Sequence, residues 1–445
     1  MNILWAKTEL LHPLDKGGKI RTFQMLRELK RIHHVTYVTL HDGHAALDAL
    51  ERASEYCHEA VPIPFHAPRK GSPGFYAELA SNLFSRLPYA IAKYRSRAMR
   101  RELATRGASG GVDVLVCDFL FPSVNVPDGL PCPTVLFEHN VEALIWRRHW
   151  QVARDPVSRR YFRAQWRKMR AFEGGECRRY QHVVVVSPND RNLMSREYGV
   201  RHISDVPTGV DASYFCPNGN VLREAHRMVF TGSMDWIPNQ DAMRFCIEEI
   251  LPRIRQTVPD ATLTVVGRDP PPALVAWAAR QPGVIVTGTV DDVRPHMERS
   301  AVYLLPLRIG GGTRLKIFEA MAMGLPVVST RVGAEGLPVR EGRDIVLADS
   351  PEDFAAAAVE LLTNEMKARA LGAGASRMVR EQAGWDRAAA QFAAICERVA
   401  AGVGAEVLQP CRGRWACLDS DTSGACPRGA SRRRGGESSG STSMG

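Results

Sequence analysis

Short apolar, β-branched runs alternate with longer amphipathic stretches along the whole chain. Residues 1–6, 35–40, 112–117, 134–138 and 182–187 read as strands, as do 228–231, 262–267, 284–288, 301–305 and 327–330. Strands separated by helix-length intervals predict βαβ units and parallel sheets. There are too many units for one sheet, and the turn near Val206–Asp211 is the expected boundary. The expected fold is α/β, with two Rossmann-like domains, 1–205 and 206–384, facing across a cleft. A ligand would lie at the carboxyl ends of the strands, between the domains. A helical segment follows at 385–400. After Ala401, Gly, Ser, Arg and Cys dominate, which predicts a disordered tail over 401–445.

Residues 301–330 hold the most chemistry. A strand leads into Gly310-Gly311-Gly312-Thr313, then a helix carrying Arg314, Lys316 and Glu319, then a second strand. Successive glycines let backbone N–H groups approach an anion, and the helix start adds partial positive charge. Lys316 supplies an ammonium, and Glu319, on the same helix face, could hold a pair of ribose hydroxyls. A tight βα turn with an ordinary Lys–Glu pair would give the same pattern. Neither G-x-x-x-x-G-K-[ST] nor G-x-G-x-x-G is present, which argues against a P-loop and against a Rossmann dehydrogenase.

Composition narrows the class. The 445 residues are 45% hydrophobic and 24% charged, as in a globular protein. No run of about 18 apolar residues occurs, so no membrane span is expected. The first residues read as a strand and not as a signal peptide. The ten cysteines have no paired metal spacing and read as reduced thiols, so the expected location is cytoplasmic. In the tail, Asp419-Ser420-Asp421 matches a D-x-D metal signature, but in such a context it reads as coincidence.

The net charge of +10 is concentrated. Arg147, Arg148, Arg154, Arg159, Arg160, Arg163, Arg167, Lys168 and Arg170 are interleaved with Trp146, Trp150, Tyr161, Phe162 and Trp166. This segment fits a solvated face with its aromatics in the core, or peripheral contact of 146–170 with an anionic membrane at the inner face of the plasma membrane. Nucleic acid would also accept such a patch, but none is expected as a partner.

The segment from Gly310 to Gly336, GGGTRLKIFEAMAMGLPVVSTRVGAEG, resembles the donor site of the retaining GT-B glycosyltransferases of family 4, group 1. It is most similar to bacterial sugar transferases of exopolysaccharide and cell-surface glycan pathways. Residues 13–21 resemble the family's first glycine loop, 137–142 its histidine segment, 206–211 its interdomain turn and 230–235 the opening of its second domain. The resemblance implies GT-B architecture, with helix 385–400 crossing back onto the first domain. It implies a nucleotide-diphosphate sugar donor, UDP or GDP, a glycan or lipid-linked acceptor, and no cofactor or metal. The residues implied at the donor are Gly17, Gly18, Gly232, Ser233, Gly311, Gly312, Thr313, Arg314, Lys316 and Glu319. His139 would orient the acceptor or the transferred sugar, with Glu138 and Glu142 as alternatives. The chain departs from the pattern at Gly311, where many members carry a Glu. It departs again at Ser233 and Asn239, in neighbourhoods where relatives carry cations. Non-catalytic nucleotide-sugar binding, an epimerase and a phosphorylase are the rival functions.

Overall fold

A computed structural model of the chain describes residues 1–43, 48–69, 71–153, 155–219, 221–309 and 315–402. Residues 403–445 of the expected tail, with Asp419 and Asp421, and residues 310–314 lie outside the described residues.

The first seven strands are β1 (Asn2–Lys7), β2 (His34–His41), β3 (Glu59–Pro64), β4 (Val114–Asp118), β5 (Thr134–Phe137), β6 (His182–Val185) and β7 (Ile203–Asp205). They form one sheet in the order β3-β2-β1-β4-β5-β6-β7. The next six are β8 (Glu224–Thr231), β9 (Thr262–Val266), β10 (Val284–Gly288), β11 (Ser300–Leu305), β12 (Val327–Ser329) and β13 (Val346–Leu347). Their order is β10-β9-β8-β11-β12-β13. All pairings within both sheets are parallel. Central strands such as β4 and β5 are buried at every position. Helices cover both of their faces, which is why they read as unbroken apolar runs.

The sequence pattern missed β3, β7 and β13, all of them at sheet edges. β3 is mostly half-buried and contains Pro62 and Pro64, which an edge strand tolerates because one side of its ladder is unpaired.

In each sheet the winding direction reverses once, between β1 and β4 and between β8 and β11. Such a switch point opens a crevice above the carboxyl ends of the strands. The helix Trp385–Ala400 follows the second sheet but packs on the first. Phe392 lies 5.6 Å from the Trp5 ring and 4.9 Å from that of Phe137, beside buried Trp385, Ala388 and Ile395. This is the return crossing that the resemblance implied.

The basic segment folds as two packed helices, Glu142–Val152 and Pro156–Arg179. Its tryptophans turn toward one another: Trp150 and Trp166 stack 5.2 Å apart, and Phe162 packs against Trp146 and His149. Arg159, Arg160, Arg163 and Arg167 remain exposed.

Candidate functional site

At the first switch point, β1 ends in Lys7 and β4 ends in Asp118. Lys7 Nζ donates to Asp118 Oδ2 at 2.9 Å and to Thr22 Oγ1 at 2.8 Å. The Thr22 hydroxyl and Trp5 Nε1 donate to the same carboxylate oxygen, at 2.6 and 3.0 Å. The other oxygen, Oδ1, lies 2.7 Å from His139 Nε2. Lys7, Asp118 and His139 are all essentially excluded from solvent.

Burial alone would raise the Asp118 carboxyl, but Lys7 and His139 hold it below the ordinary carboxylate range. Burial pushes the His139 imidazole down to about 3, against the pull of Asp118, so the ring is neutral near pH 7. The neutral tautomer that suits Asp118 carries its hydrogen on Nε2. Phe119 covers the ring at 3.8 Å between centroids and lies 4.4 Å under Lys7 Nζ. Its φ of 74° is uncommon for a residue with a side chain, and such strain collects at functional sites.

The alternatives to His139 are also buried. Glu138 makes no hydrogen bond through either carboxyl oxygen, and burial, followed by repulsion from Glu173 and Glu142, raises it well above the usual range. Burial lifts Glu142 to about 7, although Asn140 donates to it at 3.3 Å.

At the second switch point, β8 ends in Thr231 and is followed by Gly232. Lys316 belongs to the helix Leu315–Ala322; its Nζ donates to Asn239 Oδ1 at 3.0 Å and lies 4.5 Å over the Phe230 ring. Asn239 in turn donates to the Ser233 carbonyl at 2.7 Å. Gly232 has φ +156°, and a Cβ there would collide with Lys316 Nζ and lie 2.9 Å from Asn239 Nδ2. Glycine is therefore required where the lysine crosses the loop. Glu319, one turn after Lys316, is half-buried; crowding raises its carboxyl to about 7 while Lys316 pulls it down.

The two halves touch across the crevice. Where the resemblance implied a glycine loop over 13–21, a helix begins at Gly17 (Gly17–Leu29), and a Cβ on Gly17 would stand 3.6 Å from Leu315 Cδ1, which sets that helix start against the Lys316 helix. Arg268, just beyond β9, reaches Asp15 Oδ2 at 2.6 Å and Ser233 Oγ at 2.8 Å. One guanidinium nitrogen of Arg148, Nη2, donates to both carboxylate oxygens of Glu335, at 3.0 and 3.3 Å.

The structure thus gathers Gly232, Ser233, Lys316 and Glu319 at one switch point, with Gly17 opposite, while Gly18 lies against Phe119 of its own domain. His139 lies beneath the first-domain floor. Gly311, Gly312, Thr313 and Arg314 fall outside the described residues. Sequence reasoning missed Lys7, Asp118 and Arg268. A charged residue closing an apolar strand was the available signal for Lys7 and Asp118, because strand carboxyl ends are where such folds place polar chemistry.

Residues 16–214 match Glycosyltransferase Family 4, and residues 225–364 match Glycosyl transferases group 1. The GDP-mannose-dependent alpha-(1-6)-phosphatidylinositol monomannoside mannosyltransferase of Mycobacterium tuberculosis is 26% identical over 238 residues, 47% of this chain. The chain spans 60% of the length of that curated relative. Sucrose-phosphate synthase from Thermosynechococcus elongatus superposes with a TM-score of 0.68 at 18% identity, over 90% of this chain and 100% of its own. Anabaena HepE, solved in complex with UDP and glucose, gives 0.64 at 12% identity, over 89% and 99%. At these identities the solved structures establish a shared fold.

Proposed function

Since the chain belongs to the family 4, group 1 glycosyltransferases and has their GT-B architecture, we propose that it moves a sugar from a nucleotide-diphosphate sugar to a glycan or lipid-linked acceptor. The observation carrying this reading is the position of Lys316 beside Gly232, with Glu319 one turn further along the same helix and the start of the Gly17–Leu29 helix against Leu315. The donor nucleotide is UDP or GDP. GDP-mannose in the name of the mycobacterial relative and UDP in the HepE complex support that choice. The lipid acceptor in the relative's name supports a lipid-linked or cell-surface glycan as product.

Breaking the anomeric C–O bond sends the electron pair to the leaving diphosphate, while the sugar becomes oxocarbenium-like. Cations fixed beside that phosphate stabilise the transition state more than the ground state. Lys316, anchored by Asn239, supplies one such charge without a metal. Glu319 accepts from the ribose hydroxyls. His139, neutral and locked to Asp118, shapes the floor under the acceptor or the transferred sugar. Retention of configuration follows a front-face course, in which a leaving phosphate oxygen takes the acceptor proton. A double displacement would need a carboxylate nucleophile beneath the anomeric carbon.

A panel of UDP-, GDP- and ADP-sugars, tested by thermal shift and then for transfer, examines this reading. One nucleotide class should raise the melting temperature and support turnover. A folded chain stabilised by none of them would leave the reading without support, and binding without any turnover would favour a non-catalytic binding protein. Glu319 adds a pH dependence. It accepts hydrogen bonds best when ionised, and its ionised fraction grows as pH rises through about 7. Donor affinity should therefore strengthen between pH 6 and 8 in the wild type and stay level in Glu319→Gln; parallel profiles would remove Glu319 from the ribose.

The acceptor chemistry also suits a bilayer surface. Among the described residues no helix is long and apolar enough to cross a membrane. The Pro156–Arg179 helix carries exposed arginines, and the turn at Asn82 that packs on it continues into Leu83 and Phe84, which are 61% and 94% exposed. Lys168 and Gln165 tie that corner to the helix through Asn82, at 2.7 and 3.3 Å. Exposed apolar tips and arginines carried on joined elements suit anionic headgroups, each basic residue contributing about 1 kcal/mol. The full chain should pellet with phosphatidylglycerol vesicles at low salt, and Arg159→Glu with Arg163→Glu should weaken this at least about tenfold. Wild-type protein that stays in the supernatant would refute the contact.

A further inference from the structure

We propose that Arg268 is a diphosphate ligand of this cleft, and that the Asp15 carboxylate holds its guanidinium until a nucleoside diphosphate takes the carboxylate's place. The proposal rests on the nucleotide-sugar reading above and adds a residue that the family pattern does not supply. Ser233 and Asn239 stand in neighbourhoods where the resemblance places cations. The structure brings a cation to each from elsewhere: Lys316 Nζ on Asn239 at 3.0 Å, and Arg268 Nε on Ser233 Oγ at 2.8 Å. Arg268 follows β9, next to β8 in the sheet, and its carbonyl accepts from Met234 N at 2.8 Å, which ties it to the Gly232 loop.

The partner across the cleft indicates what Arg268 binds. Asp15 belongs to the first-domain loop leading into Gly17 and Gly18. It lies 2.6 Å from Arg268 NH1 on one side and 3.3 Å from Lys19 Nζ on the other. A carboxylate held between two cations marks a position that favours an anion. The guanidinium fork fits phosphate as well as carboxylate, and phosphate brings more charge and more acceptor oxygens. Both residues remain reachable, with side-chain exposures of 20% for Arg268 and 27% for Asp15. Asp235, 3.5 Å from Arg268 and half-exposed, is the weaker partner. Exchange of Asp15 for diphosphate would keep the two domains bridged at this point, with the ligand forming part of the bridge.

Titration calorimetry of the full chain with UDP, GDP and their parent nucleosides tests the assignment. Arg268→Ala should lower affinity for the preferred diphosphate at least about tenfold and leave the nucleoside unchanged. Arg268→Lys should recover part of the loss. Asp15→Asn should tighten diphosphate binding severalfold, because the competing carboxylate is gone. Unchanged diphosphate affinity in Arg268→Ala, an equal loss for nucleoside and diphosphate, or weaker binding in Asp15→Asn would each overturn the proposal. If the wild type binds diphosphate and Lys316→Ala does not, a silent Arg268→Ala defeats this inference alone. A wild type that binds no nucleotide defeats the functional reading with it.

Discussion

Asp118→Ala is expected to destabilise the first domain by about 3–5 kcal/mol, the usual cost of removing one partner from a buried ion pair. The carboxylate is the common acceptor for Lys7, Thr22 and Trp5, and it faces His139 as well. Without it the Lys7 ammonium stays buried beside the Thr22 hydroxyl and the Phe119 ring, with no carboxylate to balance it among its described contacts. The experiment is urea unfolding followed by tryptophan fluorescence, since Trp5 reports from within the cluster. The midpoint should fall clearly in Asp118→Ala, and Lys7→Met in the same chain should restore much of it by removing the stranded charge. A single variant that unfolds with the wild type would mean that the cluster is not a buried ion pair in solution. Non-additivity of the double variant is the sharper readout, because residues in direct contact share their energy.

Lys316→Ala should reduce turnover by about 10²–10³-fold, comparable to removing one preorganised donor from a site of developing charge. Folding should be little affected, because Lys316 is half-exposed at the start of a short helix whose other residues supply the packing. Release of nucleoside diphosphate from the donor measures the effect even before the acceptor is known. Asn239→Ala leaves the ammonium in place but removes one of its hydrogen bonds, so its loss should be smaller, and the double variant should fall no further than Lys316→Ala alone. Rates within a few-fold of wild type in Lys316→Ala would take the lysine out of the chemistry.

The central strands were legible because burial on both faces leaves an unbroken apolar run. The edge strands β3, β7 and β13 were not, because half-exposed residues and, in β3, prolines weaken that signal. Lys316 and Glu319 stood out because a glycine run, a cation and a carboxylate follow one another within a few residues of sequence, and the structure places both side chains on one short helix. The first-domain cluster joins residues 111 positions apart, from Lys7 to Asp118, and nothing local in the chain announces that pairing. Arg268 and Asp15 are 253 positions apart and lie in loops of different domains. Their contact depends on how the two sheets face one another, which no local pattern encodes. The tryptophans of the basic segment were read correctly as aromatic and interleaved. Their stacking on each other follows from the packing of two helices, which spacing along one helix does not reveal.

The return of the helix Trp385–Ala400 to the first sheet also bears on the order in which the chain can fold during synthesis. Translation delivers Trp5 and Phe137 early, whereas Phe392, which covers both, emerges only after the whole second sheet has been made. The first domain therefore cannot finish its core when its own strands are complete. It must wait, with an aromatic face uncovered, while the ribosome adds the strands and helices of its neighbour at about 5–20 residues per second. A long-range closure of this kind favours slow final docking over fast local folding. The nascent chain thus carries exposed apolar surface for many seconds, the condition under which chaperone capture competes with folding.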